Sequence, residues 1–151
     1  MAGRLIILVA PSGGGKTSVI RYLMERHREL VHSISHTTRP PRPQGVDEGY
    51  YENVDEASFR RGIDRGDFVE WAEVHGHLYG TPRAPLERWL DEGRDVVLDL
   101  DVVGALNLKE AYGDRAVTVF VEPPSIDVLR ERLAERGADS ETVQSLSLIH
   151  I

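Results

Sequence analysis

Residues 4–30 read RLIILVAPSGGGKTSVIRYLMERHREL, and this stretch decides the fold. The apolar run 4–10 is continuous, as in a strand of a parallel sheet that is buried on both faces. A glycine-rich turn follows, Pro11 to Gly15. From Lys16 to about Leu30 the spacing of Val19, Ile20, Leu23 and Met24 predicts an amphipathic helix. Strand, glycine turn and helix in that order make a phosphate cradle. Consecutive backbone N–H groups converge on phosphate oxygens, glycines permit the close approach, and the helix turns its positive end toward the anion. Ser12, Gly13, Gly14, Gly15, Lys16, Thr17 and Ser18 would form it, with Lys16 reaching the β and γ phosphates and Thr17 holding Mg²⁺. Ala10 stands where such a P-loop usually begins with glycine. The plainer reading, a glycine-rich turn that binds nothing, loses to Gly-Lys-Thr at the right offset between strand and helix. A P-loop implies a nucleotide but not a reaction.

Working outward, residues 95–100 (DVVLDL) and 116–121 (AVTVFV) are further candidates for buried strands. Residues 104–111 predict a helix between them. Residues 124–135 predict another, with Ser125 as N-cap and Ile126, Leu129 and Leu133 on one face. Strands alternating with helices predict an α/β fold around a parallel sheet. Residues 32–80 differ. They hold short segments, a proline cluster at 39–43 and a strand candidate at 68–74, with His75 and His77 flanking Gly76 as a turn. They predict a smaller inserted subdomain. The expected organisation is a core of 1–32 and 82–125, a subdomain of 33–81, and a partial lid of 126–151 with an atypical tail at 145–151.

The chain has 151 residues, 40% hydrophobic and 28% charged, with a net charge of −7 and no cysteine. A disulfide framework, a zinc-thiolate site and a thiol nucleophile are excluded. Nucleic acid is a poor partner for so acidic a chain. No apolar run approaches a membrane span, and no cleavage-site pattern follows the N-terminus, so a cytoplasmic protein is expected. A small anion needs only local positive charge, which Arg39 and Arg42 could supply. The histidines show no metal-ligand spacing.

Residues 35–42 (SHTTRPPR) resemble the GMP-binding signature of guanylate kinases. The similarity continues through Tyr51, 68–74 (FVEWAEV), 78–81 (LYGT), 98–104 (LDLDVVG), 123–125 (PPS) and 132–137 (RLAERG), covering nearly all of 5–144. The resemblance implies a P-loop NTPase core, an inserted small mixed-β GMP-binding subdomain and a partial lid. It implies transfer of a phosphoryl group from ATP to GMP or dGMP, with Mg²⁺, in purine nucleotide metabolism. Arg39 and Arg42 would clamp the GMP phosphate with forked hydrogen bonds, and Tyr51 and Tyr79 would add phenolic donors. Glu70 would accept from guanine N1–H and the 2-amino group, whereas adenine's unprotonated N1 would be repelled. Ser35, Thr81 and Asp101 match base-contacting positions. Asp99 matches an acid near Lys16 and the metal, although the division between the two acids stays open. Arg132 and Arg136 match lid arginines.

Each residue also has a plainer reading. Arg39 and Arg42 could be solvated, Glu70 a surface charge, Tyr51 and Tyr79 packing residues, and Asp99 and Asp101 the polar face of a strand. Packing does not explain the ordered set behind a P-loop. Rival functions are a kinase for another nucleoside monophosphate, a guanylate-kinase-like binding module without catalysis, or an inactive fragment; Lys16 argues for catalysis. Three departures stand out: Gln44-Gly45 after Arg42, Asn53 at an aromatic position, and the tail SLSLIHI at 145–151. The first two are expected to matter little. The tail lacks the expected basic lid residues, so a chain altered or truncated after Gln144 and poor in catalysis is expected.

Overall fold

The computed structural model describes residues 2–10, 16–43, 49–121, 127 and 131, with Lys16 by its backbone only. The elements are β1 Leu5–Val9, α1 Lys16–Arg26, β2 Val31–His32, β3 Ser35–Thr37, β4 Tyr51–Asn53 and α2 Glu56–Arg65. Then come β5 Phe68–Val74, β6 His77–Pro82, α3 Arg83–Asp91, β7 Val96–Leu100, α4 Val102–Tyr112 and β8 Ala116–Phe120. No helix among the described residues is long and apolar enough to cross a membrane.

Among the described residues, two four-stranded sheets organise the fold. The first has the order β2-β7-β1-β8 and is parallel throughout. Its strands β1 and β7 are the apolar runs of the sequence, and every residue of β7 is buried. Leu5, Ile7, Val9, Leu98 and Leu100 meet Leu86 and Leu90 of α3 and Leu108 of α4 in the main core. Two expectations need correction. The helix after the P-loop stops at Arg26 rather than Leu30, because His27 to Leu30 turn the chain into β2. In β8 only Ala116 is buried, while Val119 is 40% and Phe120 63% exposed. Among the described residues β8 pairs with β1 alone, and an edge strand lacks neighbours on one side.

The second sheet, β4-β3-β6-β5, is mixed: β3 runs parallel to β4, and β6 antiparallel to β3 and β5. Its strands span residues 35–82, so the inserted small sheet is present as expected. The turn expected at Gly76 joins β5 to β6. His75 and Gly76 have φ of 51° and 80°, the left-handed pair that a two-residue hairpin requires. Helix α2, not read in the sequence, is capped at both ends. The Asp55 side chain accepts from Ser58 N, and Gly66 closes the helix with φ of 74°. The helix predicted over 124–135 lies outside the described residues except for Asp127 and Glu131, both helical.

Candidate active site

Residues directly opposite in paired strands point to the same face of a sheet. In the second sheet the partners are Ser35 with Tyr51, Thr37 with Asn53 and Tyr79, and Glu70 with Thr81. One face therefore carries Ser35, Thr37, Tyr51, Asn53, Glu70, Tyr79 and Thr81. All five substrate-binding candidates from the strands of this sheet share it. The opposite face carries His36, Leu78, Gly80 and Phe68, with the Phe68 ring stacked on Phe59 of α2 at 4.5 Å. Buried polar side chains are the informative ones in a small protein. Among the described residues they are Ser33, Ser35, Thr37, Glu70, Thr81 and Asp99; four of these six lie on that one face.

Strand β5 reaches this arrangement through an irregularity. Phe68 pairs with Pro82 and Glu70 with Thr81, so Val69 is an extra residue, a β-bulge. Val69 packs against the main core. The Glu70 carboxylate is buried and its Oε1 accepts from the Thr81 hydroxyl at 2.7 Å. Burial pushes its pKa up from 4.5 to about 7; the Thr81 hydrogen bond opposes the rise and the nearby Asp101 adds to it. Asp101 ends the loop after β7 and caps α4. Its Oδ1 accepts from Gly104 N at 3.0 Å and its Oδ2 from Val103 N at 3.3 Å.

A second group assembles around Arg39. Its Nε donates to the Tyr79 hydroxyl at 3.2 Å, and its guanidinium lies 5.3 Å from the centre of the Tyr51 ring. Asn53 Nδ2 donates to the Arg39 carbonyl at 2.8 Å, so this departure from the usual aromatic steadies the arginine's backbone. The Tyr51 hydroxyl donates to Asp99 Oδ2 at 3.1 Å. Burial, then the adjacent Asp99, raises the Tyr51 pKa, so the phenol keeps its proton and remains a donor. His32 Nε2 lies 3.5 Å from Asp99 Oδ1. Asp99 is opposite Leu8 in the strand that leads into the P-loop. The structure thus joins Arg39, Tyr51, Tyr79 and Asp99, and separately Glu70, Thr81 and Asp101. Arg42 is half-buried three positions beyond Arg39.

Thr17 and Ser18 are exposed in the first turn of α1. Ser12, Gly13, Gly14, Gly15, the Lys16 side chain, Arg132, Arg136 and the tail 145–151 lie outside the described residues. Sequence reading missed His32, Asn53 and Gly104 as site neighbours. His32 and Asn53 carry no local signal, since each acts through a residue distant in the chain; Gly104 stands in the segment 98–104, but its contact with Glu70 spans the fold. A cavity of about 500 Å³ lies on the opposite face of the second sheet, lined by His36, Phe59, Phe68, Pro82 and Arg83. It holds none of the residues expected to bind substrate.

A buried parallel strand and the helix that follows it thus stand beside a second sheet with one polar, buried face. The family model described as guanylate kinase matches residues 2–148. Guanylate kinase of Thermotoga maritima is 48% identical over 141 residues, covering 93% of this chain and 68% of that protein. That of Sphingopyxis alaskensis is 46% identical over 141 residues, covering 93% and 64%. The chain thus spans about two thirds of the length of these relatives. The crystal structure of guanylate kinase from Anaplasma phagocytophilum superposes with a TM-score of 0.77 at 32% identity, covering 98% of this chain and 84% of that one. The chain belongs to the guanylate kinase family, enzymes that phosphorylate GMP at the expense of ATP.

Proposed function

We propose that this chain binds GMP on the polar face of the second sheet and transfers to it the γ-phosphoryl group of ATP held at the P-loop. The observation that carries the reading is the shared face of Ser35, Tyr51, Glu70, Tyr79 and Thr81, with Arg39 already bonded to Tyr79. Guanine presents two adjacent donors, and Glu70 presents a buried carboxylate to accept them. Ser35, Thr81 and Asp101 complete the base site. Arg39 and Arg42 hold the GMP phosphate, with Tyr51 and Tyr79 as further donors.

A phosphate oxygen of GMP attacks the γ-phosphorus in line. The new P–O bond forms as the β–γ bridging bond breaks, and ADP leaves. The protein contributes positioning and charge neutralisation, through Lys16, Arg39, Arg42 and the lid residues Arg132 and Arg136. Asp99 orients Tyr51 beside the strand that feeds the P-loop. Mg²⁺ would be held by the Thr17 hydroxyl, exposed at the start of α1, and would offset phosphate charge. A single protein hydroxyl fits a cation that keeps several waters and takes phosphate oxygens.

The test offers ATP with GMP, dGMP, AMP, CMP or UMP in parallel and follows ADP, while calorimetry follows binding of each nucleotide. Turnover or binding restricted to the guanine nucleotides is expected. Equal handling of AMP would overturn the guanine assignment, and failure to bind ATP would overturn the kinase assignment.

A further inference from the structure

Gly104 lies in the first turn of α4, buried between two acids that the substrate reading uses. A Cβ built on it would sit 3.0 Å from Asp101 Oδ1, 3.0 Å from Glu70 Oε2 and 3.4 Å from Glu70 Cδ. Its backbone does not call for glycine, since the residue is helical, where alanine is the better helix former. The missing side chain has another use. Glu70 comes from the second sheet and Asp101 from the end of the first, and α4 brings them together at one glycine. Thr81 holds Glu70 Oε1 from one side, and Oε2 lies in the space that a side chain on Gly104 would take. Neither neighbour can give way freely: Asp101 is tied to the helix N-terminus by two hydrogen bonds, and Glu70 is buried.

We propose that Gly104 is a specificity-determining positioning residue, whose lack of a side chain lets the Glu70 and Asp101 carboxyls stand side by side where the guanine edge is read. This rests on the reading of Glu70 as the guanine acceptor. A methyl group at 104 displaces one or both acids by a few tenths of an ångström, enough to misalign a paired hydrogen bond. The phosphate clamp at Arg39 and the P-loop lie on other elements and are untouched.

The experiment measures GMP, inosine monophosphate and ATP binding by calorimetry for the chain 1–151 and for Gly104→Ala, Glu70→Ala and the double variant. Inosine monophosphate keeps the N1–H but lacks the 2-amino group. Gly104→Ala should weaken GMP binding by about tenfold, narrow the preference for GMP over inosine monophosphate, and leave ATP affinity within about twofold. Its melting temperature should change little, since alanine's helix propensity offsets the strain of the displaced carboxyls. In the Glu70→Ala background it should cost GMP less than in the parent, the non-additivity of residues that act through a shared contact. Unchanged GMP affinity in Gly104→Ala, equal losses for GMP and ATP, or additive effects in the double variant would overturn the proposal. If Glu70→Ala alone leaves GMP binding intact, the guanine reading of Glu70 fails and takes this proposal with it. If Glu70→Ala weakens GMP and Gly104→Ala does not, only the proposal fails.

Discussion

Phe68 and Glu70 stand two positions apart in one strand yet point to opposite faces of the sheet, because Val69 between them is a bulge. Phe68 stacks on Phe59 in a small apolar cluster with Leu78. Glu70 takes the Thr81 hydroxyl on the polar face. Opposite surroundings give the two residues opposite phenotypes.

Phe68→Ala removes a buried ring and leaves a cavity against Phe59. A loss of ~3–5 kcal/mol is expected, read as a lower urea midpoint. GMP affinity measured under conditions where the variant is still folded should change little, since the ring lies behind the site. A loss of GMP affinity matching that of a Glu70 variant would contradict the division of faces.

Glu70→Gln should lose affinity and gain stability. The charged acceptor is worth ~1.5–3 kcal/mol of GMP binding. The carboxyl titrates near 7 in the folded chain against an ordinary 4.5, so between these pH values the folded state keeps a proton that the unfolded state has released. Its stability therefore falls as pH rises from about 4.5 to 7 and then levels off. Glutamine escapes that cost. The variant should be more stable than the parent by ~1–3 kcal/mol at pH 8, with the gap closing toward pH 4.5. Thermal melts of both proteins across this range check it; a gap that widens on acidification would reverse the sign and refute the account.

Arg39→Lys keeps the charge but loses the planar fork and the Nε bond to Tyr79. GMP binding should weaken by about tenfold, ~1.4 kcal/mol, while guanosine, which has no phosphate, binds as before. Equal losses for the two ligands would remove Arg39 from the phosphate site.

Asp101 carries two roles that substitution can separate. Alanine loses the α4 cap, at ~1 kcal/mol, whereas asparagine is as good a cap as aspartate. Asp101→Asn should therefore melt close to the parent yet bind GMP more weakly, and Asp101→Ala should lose both. If Asp101→Asn bound GMP as tightly as the parent, the residue would be a helix cap alone.

Much of the site was legible because its chemistry is local. The P-loop is a run of consecutive residues, and the ordered segments from Ser35 to Gly104 carry the family resemblance without any folding. The partners were not legible. His32 meets Asp99 and Asn53 meets Arg39 across gaps in the chain that no spacing rule spans. Helix α2 hides in a charged stretch, EASFRRGIDR, whose only buried side chain of size is Phe59. Strand β8 reads as apolar as β1, yet among the described residues it pairs with β1 alone, since apolar character does not say how many neighbours a strand will have.

The sequence by itself determined strand β1, the start of helix α1, and the β5–β6 hairpin at His75 and Gly76. Each depends on torsions and spacings within a few residues. Only the tertiary structure decided which way Glu70 points. Simple alternation along FVEWAEV puts Phe68 and Glu70 on one face, where an aromatic ring and a carboxylate would compete for the same surroundings. Phe59 and Gly80 on one side, the main core around Val69, and Thr81 with Gly104 on the other side each take one residue. The extra residue settles where all three can be satisfied at once, and that balance is struck between segments far apart in the chain.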